Sequence, residues 1–196
     1  MMIDFGWTQI FVCLVVLLLA LILLWKKNKN LSYIFLCVVF GVYLIGVISV
    51  VVFPFPIGYS NPGFNPSVNL IPFNFGNCFD IFPEICFRTI FENILLTLPF
   101  GFGISFIVPI KPKHIAWLGI MVGLLFELTQ FAISLVVRSP FRATDINDVI
   151  FNAIGVLLGY GIFLVFGDAY KRIIEKIKLQ PKYIFAYVYD VVTNDK

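Results

Sequence analysis

Arg142, Asp145, Asp148 and Asn152 place three charges and an amide at the start of an apolar stretch. A second apolar stretch, Ile115 to Val137, is interrupted by one ionisable residue, Glu127, with Gln130 three positions further on. An ionisable group at the centre of a membrane helix costs about 2.5–3.5 kcal/mol even on insertion-based scales, so those that are kept mark candidate sites. The carboxylates Glu127, Asp145 and Asp148 are candidates for general acid or base work, with an arginine beside them to stabilise negative charge. The same three carboxylates would form an oxygen-rich donor set for a divalent cation. No Cys-x-x-Cys motif or His/Cys cluster marks a metal site, however, and no cofactor or metal is expected. The sole histidine, His114, reads as an interfacial residue at the start of a span.

These residues must be positioned by membrane helices. The 196-residue chain is 60% hydrophobic and only 13% charged, with a mean hydropathy of +0.98, far outside the range of soluble domains. About 20 apolar residues cross the hydrocarbon, which predicts an all-α polytopic bundle of five spans near 5–25, 31–53, 89–110, 114–137 and 148–167. Pro54, Pro56, Pro62 and Pro66 end the second span. The first reads as a retained anchor rather than a cleaved signal peptide. The chain divides into an anchor (1–30), a membrane domain (31–167) and a basic tail (168–196).

Lys26, Lys27 and Lys29 follow span one, Lys111 and Lys113 follow span three, and Lys171, Arg172, Lys176, Lys178 and Lys182 follow span five. In a five-span topology all of these lie on one side, which the positive-inside rule makes cytoplasmic. The N-terminus is then outside and the C-terminus cytoplasmic, in a multi-pass protein of the bacterial cell membrane. The basic tail needs no nucleic acid to explain it.

On that topology Asn93, Gln130, Arg138, Arg142, Asp145, Asp148 and Asn152 fall in the outer half. Glu127 lies about 15 Å along the helix from Val137, near the middle of a core about 30 Å thick. Asp145, Asp148 and Asn152 stand at i, i+3 and i+7, on one face if the helix begins before Asp145. Each has a plainer reading: Glu127 as partner of an arginine, Asn93 and Gln130 as interhelical hydrogen bonds, Asp145 as a cap. Their concentration in one half favours a shared pocket over scattered helix glue. Gly155 and Gly159 form a small-x-x-x-small pair suited to close packing.

The loop from Pro54 to Arg88 alternates phenylalanines with Asn61, Asn65, Asn69, Asn74 and Asn77. It is too apolar for a solvated linker. Asn69-Leu-Ile-Pro-Phe73 reads either as a structured dip over the pocket or as part of an aromatic belt. An outer loop permits a Cys78–Cys86 disulfide, but the spacing does not establish one. After span five, Asp168 to Lys178 reads as a short surface helix interrupted by Pro181, and Tyr183 to Tyr189 as an interfacial segment.

Four of these motifs, in order, carry a resemblance. Asn69 to Phe73, Glu92-Asn93 with Leu98-Pro-Phe-Gly101, Glu127-Leu-Thr-Gln130, and Arg142 through Asp145, Asp148, Asn152, Gly155 and Gly159 resemble the VanZ-like membrane protein family. The resemblance covers about residues 40 to 165. The family takes its name from an accessory protein of teicoplanin-type glycopeptide resistance, which implies a cell-envelope role and antibiotic tolerance without a defined reaction.

Two functions compete. In the first, a binding or accessory role, an outward-facing pocket of Asn69, Asn93, Glu127, Gln130, Arg138, Arg142, Asp145, Asp148 and Asn152 engages a lipid-linked cell-wall precursor, a lipoglycopeptide or a partner enzyme. Its arginines would meet phosphate or carboxylate, and its phenylalanine loop an acyl or prenyl chain. In the second, an intramembrane hydrolase or transferase acts on a lipid-linked precursor with Glu127 or Asp148 as base. No nucleophile with an evident partner accompanies that reading, and a transporter ranks below both. Membrane lipids are partners in every case; oligomeric state is open.

Overall fold

The computed structural model describes residues 2–58, 63–139 and 142–194; Asn61 and Pro62 of the loop lie outside the described residues. Among the described residues five helices are long and apolar enough to span a membrane: α1 (Trp7–Lys26), α2 (Leu31–Val51), α4 (Pro83–Gly103, extended by a 3-10 turn to Phe106), α5 (Pro112–Val137) and α6 (Ile146–Ile177). Two shorter helices, α3 (Cys78–Ile81) and α7 (Ile184–Asn194), complete the all-α architecture. Four two-residue strands pair outside the helices. β1 (Met2–Ile3) is antiparallel to β2 (Phe55–Pro56), and β3 (Val68–Asn69) is parallel to β4 (Thr144–Asp145).

The helix starts follow from local chemistry. Asn30 caps α2 by accepting from the Ser32 N–H at 3.0 Å. Pro83 and Pro112 occupy the first positions of α4 and α5, where a missing N–H leaves nothing unsatisfied. Pro83 also explains why α4 begins six residues before the expected start at 89. Glu84 sits favourably in its first turn, and Arg88 pairs with Glu92 one turn on at 2.6 Å, so charges read as loop lie on an exposed helix face. At the other boundary, α6 runs without a break through Ile177, with Asp168 and Arg172 paired at i, i+4. The segment expected as a separate surface helix is therefore the last third of α6, which ends at Lys178 before Pro181 can interrupt anything.

The core is a three-helix seam of α4, α5 and α6, held by glycines. A Cβ on Gly155 would collide with Ile94 O and Thr97 Oγ1, on Gly159 with Leu98 O, and on Gly101 with Val156 O. These contacts run α4 parallel to α6 at backbone-to-backbone approach, the work expected of the small-residue pair. On the other flank a Cβ on Gly123 would lie 2.8 Å from Val149 O and on Gly119 3.1 Å from Ala153 Cα, which sets α5 antiparallel to α6. α2 lies antiparallel to α4, with the Phe40 ring against Phe100 and Tyr43 Oη donating to Leu96 O. α1 has no buried residue and leans on α2 where Leu17 meets Gly41.

The two ends of this bundle differ. Where α4 ends and α5 begins, beside the middle of α6, Phe106, Ile115, Val156, Tyr160 and Phe163 form a buried apolar cluster, with Phe106 and Phe163 edge to face at 5.1 Å. α7 closes that end, Tyr187 Oη donating to Phe106 O at 2.8 Å. The connections carrying Lys26, Lys27, Lys29, Lys111 and Lys113 lie there too. Where α4 and α6 begin, polar side chains collect.

Candidate functional site

Asp145 organises the polar end. Its pairing with Asn69 through β3 and β4 holds it extended (φ −129°, ψ 124°), so α6 begins at Ile146 with Asp145 as its N-cap. The expected helical face of Asp145, Asp148 and Asn152 is corrected accordingly. Asp148 and Asn152 share the helix, whereas Asp145 reaches the same region from the capping position. Asp145 Oδ1 accepts from Asn147 N at 2.8 Å and from Asn69 Nδ2 at 3.0 Å, while its own N–H donates to Glu127 Oε2 at 2.8 Å. Glu127, only 4% exposed, thus receives a backbone N–H at the start of α6. That contact ties α5 to the cap.

A second set of bonds joins α4 to α6. Asn93 Nδ2 donates to Asp148 Oδ1 at 2.6 Å, and Asn152 Nδ2 donates to Asp148 O at 2.8 Å. Thr97 Oγ1 donates to Asn152 O at 2.8 Å from a fully buried position. α2 enters through its carboxyl end, where Val51 O accepts from Gln130 Nε2 at 3.3 Å and Val50 O from Arg142 Nη2 at 2.9 Å. Those carbonyls belong to the last turn of α2, which has no intrahelical donor for them.

The Asn69–Phe73 loop is fastened to the same frame by Asn147. This buried amide accepts from Phe73 N at 2.6 Å and donates to Asn74 O at 3.0 Å. Asn69 donates to Asn74 O as well, at 2.8 Å. A disulfide joins Cys78 and Cys86 across α3 and the first turn of α4, and Phe79 packs on Phe87.

Two adjoining cavities result. The first, about 460 Å³, is lined by Glu127, Gln130, Asn93, Asp148, Asn152 and Arg142, among others. The second, about 560 Å³, lies beneath the loop against Leu70, Ile71, Phe75, Ile90 and Phe151. Thr89, Ala143, Asp145 and Asp148 belong to both walls. Of the nine residues expected at a site, the polar cavity is lined by seven, and Asn69 lines its neighbour. Arg138 stands apart as the exposed left-handed C-cap of α5 (φ 50°), outside both linings. Among the described residues no group of three His, Cys, Asp or Glu side chains is placed to hold a metal.

Sequence reasoning missed Asn147, Thr97 and Asn74. Asn147 carried a signal, an amide in the first turn of a membrane helix between two aspartates. Thr97 and Asn74 carried little, because a threonine in a span commonly bonds its own helix and an asparagine in a loop commonly serves a turn.

Five spanning helices around a glycine-packed seam, with carboxylates and amides gathered at one end, define a multi-spanning α-helical membrane protein with a polar cavity within its bundle. The chain belongs to the VanZ/LLP1 family, whose model matches residues 40–167. That match spans α4, α5, the β3–β4 pairing and α6 as far as Gly167, and omits α1 and α7. No curated protein and no solved structure matches the chain at a significant level.

Proposed function

We propose that this VanZ-family protein binds an amphiphilic molecule of the bacterial cell envelope, with the polar end of the bundle facing outward. The observation that carries the reading is the shared wall of the two cavities. Thr89, Ala143, Asp145 and Asp148 stand between a chamber that gathers Glu127, Gln130, Asn93 and Asn152 and a mixed one that adds Leu70, Ile71, Phe75, Ile90 and Phe151 to its loop amides, an arrangement that fits a polar headgroup and the start of its hydrocarbon chain. The lysines gathered at the opposite end support a cytoplasmic assignment for that end. A lipid-linked cell-wall precursor and a lipoglycopeptide both have this two-part character, which links the reading to teicoplanin-type tolerance.

The test pairs function with insertion. Asn93→Ala, Asp148→Asn and the wild type are expressed at equal membrane levels in a susceptible bacterium, and tolerance to a lipoglycopeptide is measured. Loss of tolerance in both variants is the expected result; full tolerance in both would sink the reading. Orientation is checked on a cysteine-free background, where a cysteine replacing Thr89 should react with a membrane-impermeant maleimide in intact cells and one replacing Lys29 should not.

The lining of one cavity by Glu127 and Asp148 favours a second reading, an intramembrane hydrolase or transferase with one carboxylate as base. Turnover of a purified lipid-linked precursor, abolished by Asp148→Asn, would establish it in place of simple binding.

A further inference from the structure

Resting on the amphiphile-binding reading, we propose that the polar cavity receives a primary ammonium group carried on an apolar tail. Each amide on its wall already spends at least one N–H inside the protein. Asn93 Nδ2 serves Asp148 Oδ1, Asn152 Nδ2 serves Asp148 O, and Gln130 Nε2 serves Val51 O. The Arg142 guanidinium reaches to Val50 O. The charged acceptors are what distinguishes this wall: Glu127 is hydrogen-bonded through Oε2 and Asp148 through Oδ1, so each carboxylate has a second oxygen to give.

Asn152 points the same way independently. Its side chain is 1% exposed and lines this cavity, and its Oδ1 meets no donor among the described residues. A buried acceptor without a donor bears its desolvation uncompensated, so a ligand supplying an N–H recovers that cost.

Headgroup chemistries can be ranked on these terms. A phosphate brings further acceptors and negative charge to a wall where Glu127, Asp145 and Asp148 face one guanidinium, and is disfavoured twice. A quaternary ammonium matches the charge but has no N–H. Sugar hydroxyls donate, yet each also brings an acceptor, and none carries charge. A primary ammonium brings three N–H donors, no acceptor and a positive charge. Its bonds to carboxylates in a site of low dielectric are about twice as strong as neutral ones. The tail would run past Asp148 and Thr89 into the cavity formed by Leu70, Ile71, Phe75, Ile90 and Phe151.

Such an ammonium can come from a bilayer lipid with an ethanolamine headgroup or from an amine-bearing amphiphile arriving from water. The full-length protein is placed in nanodiscs of equal phosphatidylethanolamine, phosphatidylcholine, phosphatidylglycerol and monoglucosyl diacylglycerol with identical chains, and retained lipid is read by native mass spectrometry. In a second arm, dodecylamine is added to protein in phosphatidylcholine nanodiscs. Retention of phosphatidylethanolamine about tenfold above the other three lipids identifies the bilayer source. Retention of dodecylamine alone identifies the aqueous one. Either supports the proposal if the preference is lost in both Asp148→Asn and Glu127→Gln, the second of which keeps an acceptor for the Asp145 N–H.

Preference for phosphatidylglycerol or the glycolipid, lost in the same variants, overturns the ammonium assignment and leaves amphiphile binding standing. Retention that is equal across headgroups and unchanged by the variants overturns both.

Discussion

One end of the α4–α5–α6 seam is joined by rings and the other by amides and carboxylates. At the ring end Phe102, Phe106 and Tyr160 pack their rings on Phe163, with Phe166 beside Phe106, and the phenylalanines need only a fit of shape. At the polar end each contact has a direction: Asn93 to Asp148, the Asp145 N–H to Glu127, the Phe73 N–H to Asn147, and Asn147 to Asn74 O. Apolar packing against neighbours that are themselves in hydrocarbon gives little specificity beyond volume, and volume-conserving swaps there cost under about 1.5 kcal/mol. A polar group in the same setting must find its partner or bear its desolvation. The polar end is consequently the part of the molecule whose geometry is specified residue by residue, and the part able to recognise a ligand.

The largest effect would come from breaking the seam on which both ends depend. Gly159→Val places side-chain atoms into Leu98 O and is expected to destabilise by about 3 kcal/mol or more, read as loss of monodisperse protein in detergent. Gly161→Ala on the same helix is the contrast. Nothing lies within 4 Å of its added methyl, so removing a helical glycine should leave stability unchanged or raise it by about 0.5–1 kcal/mol.

Next in size is the staple of the polar end. Cys78→Ser opens a loop of eight-residue separation and is expected to cost about 2 kcal/mol in thermal unfolding, an effect reproduced in the wild type by reductant. Smaller again is Asn147→Ala. Losing its bonds to Phe73 and Asn74 should cost about 1–2 kcal/mol and raise amide hydrogen exchange in residues 67–76 while leaving α7 unchanged. Equal loosening at α7 would show that the two ends are not separable. The smallest effect belongs to Arg88→Ala, whose partner Glu92 is solvent-exposed; no change in Tm should be measurable.

Much of this was legible before any coordinates. Apolar stretches of membrane-crossing length located all five spans, because hydrocarbon thickness fixes their length. The polar residues were found by their cost in that setting, and seven of the nine singled out line one cavity. The boundaries were harder. Glu84 and Arg88 disguised the start of α4 as loop, since charge in the first turn of a membrane helix resembles charge in a surface segment. Arg138 resembled Arg142 in type and neighbourhood, and only the left-handed turn at the end of α5 separates them.

The sequence by itself determined that this chain is a five-span helical membrane protein, and that Glu127, Asp145 and Asp148 are exceptional within it. Both conclusions rest on the transfer of single residues into hydrocarbon, a property each side chain carries wherever it goes. The tertiary structure alone decided that Asp145 is a cap held by Asn69, that Asn147 fastens the loop, and that Asn152, its buried Oδ1 unmatched among the described residues, lines the polar cavity. Those facts depend on the relative placement of α4, α5, α6 and the β3–β4 pairing. Hydrogen bonds are directional and close-range, so no residue's identity announces its partner until distant segments have met.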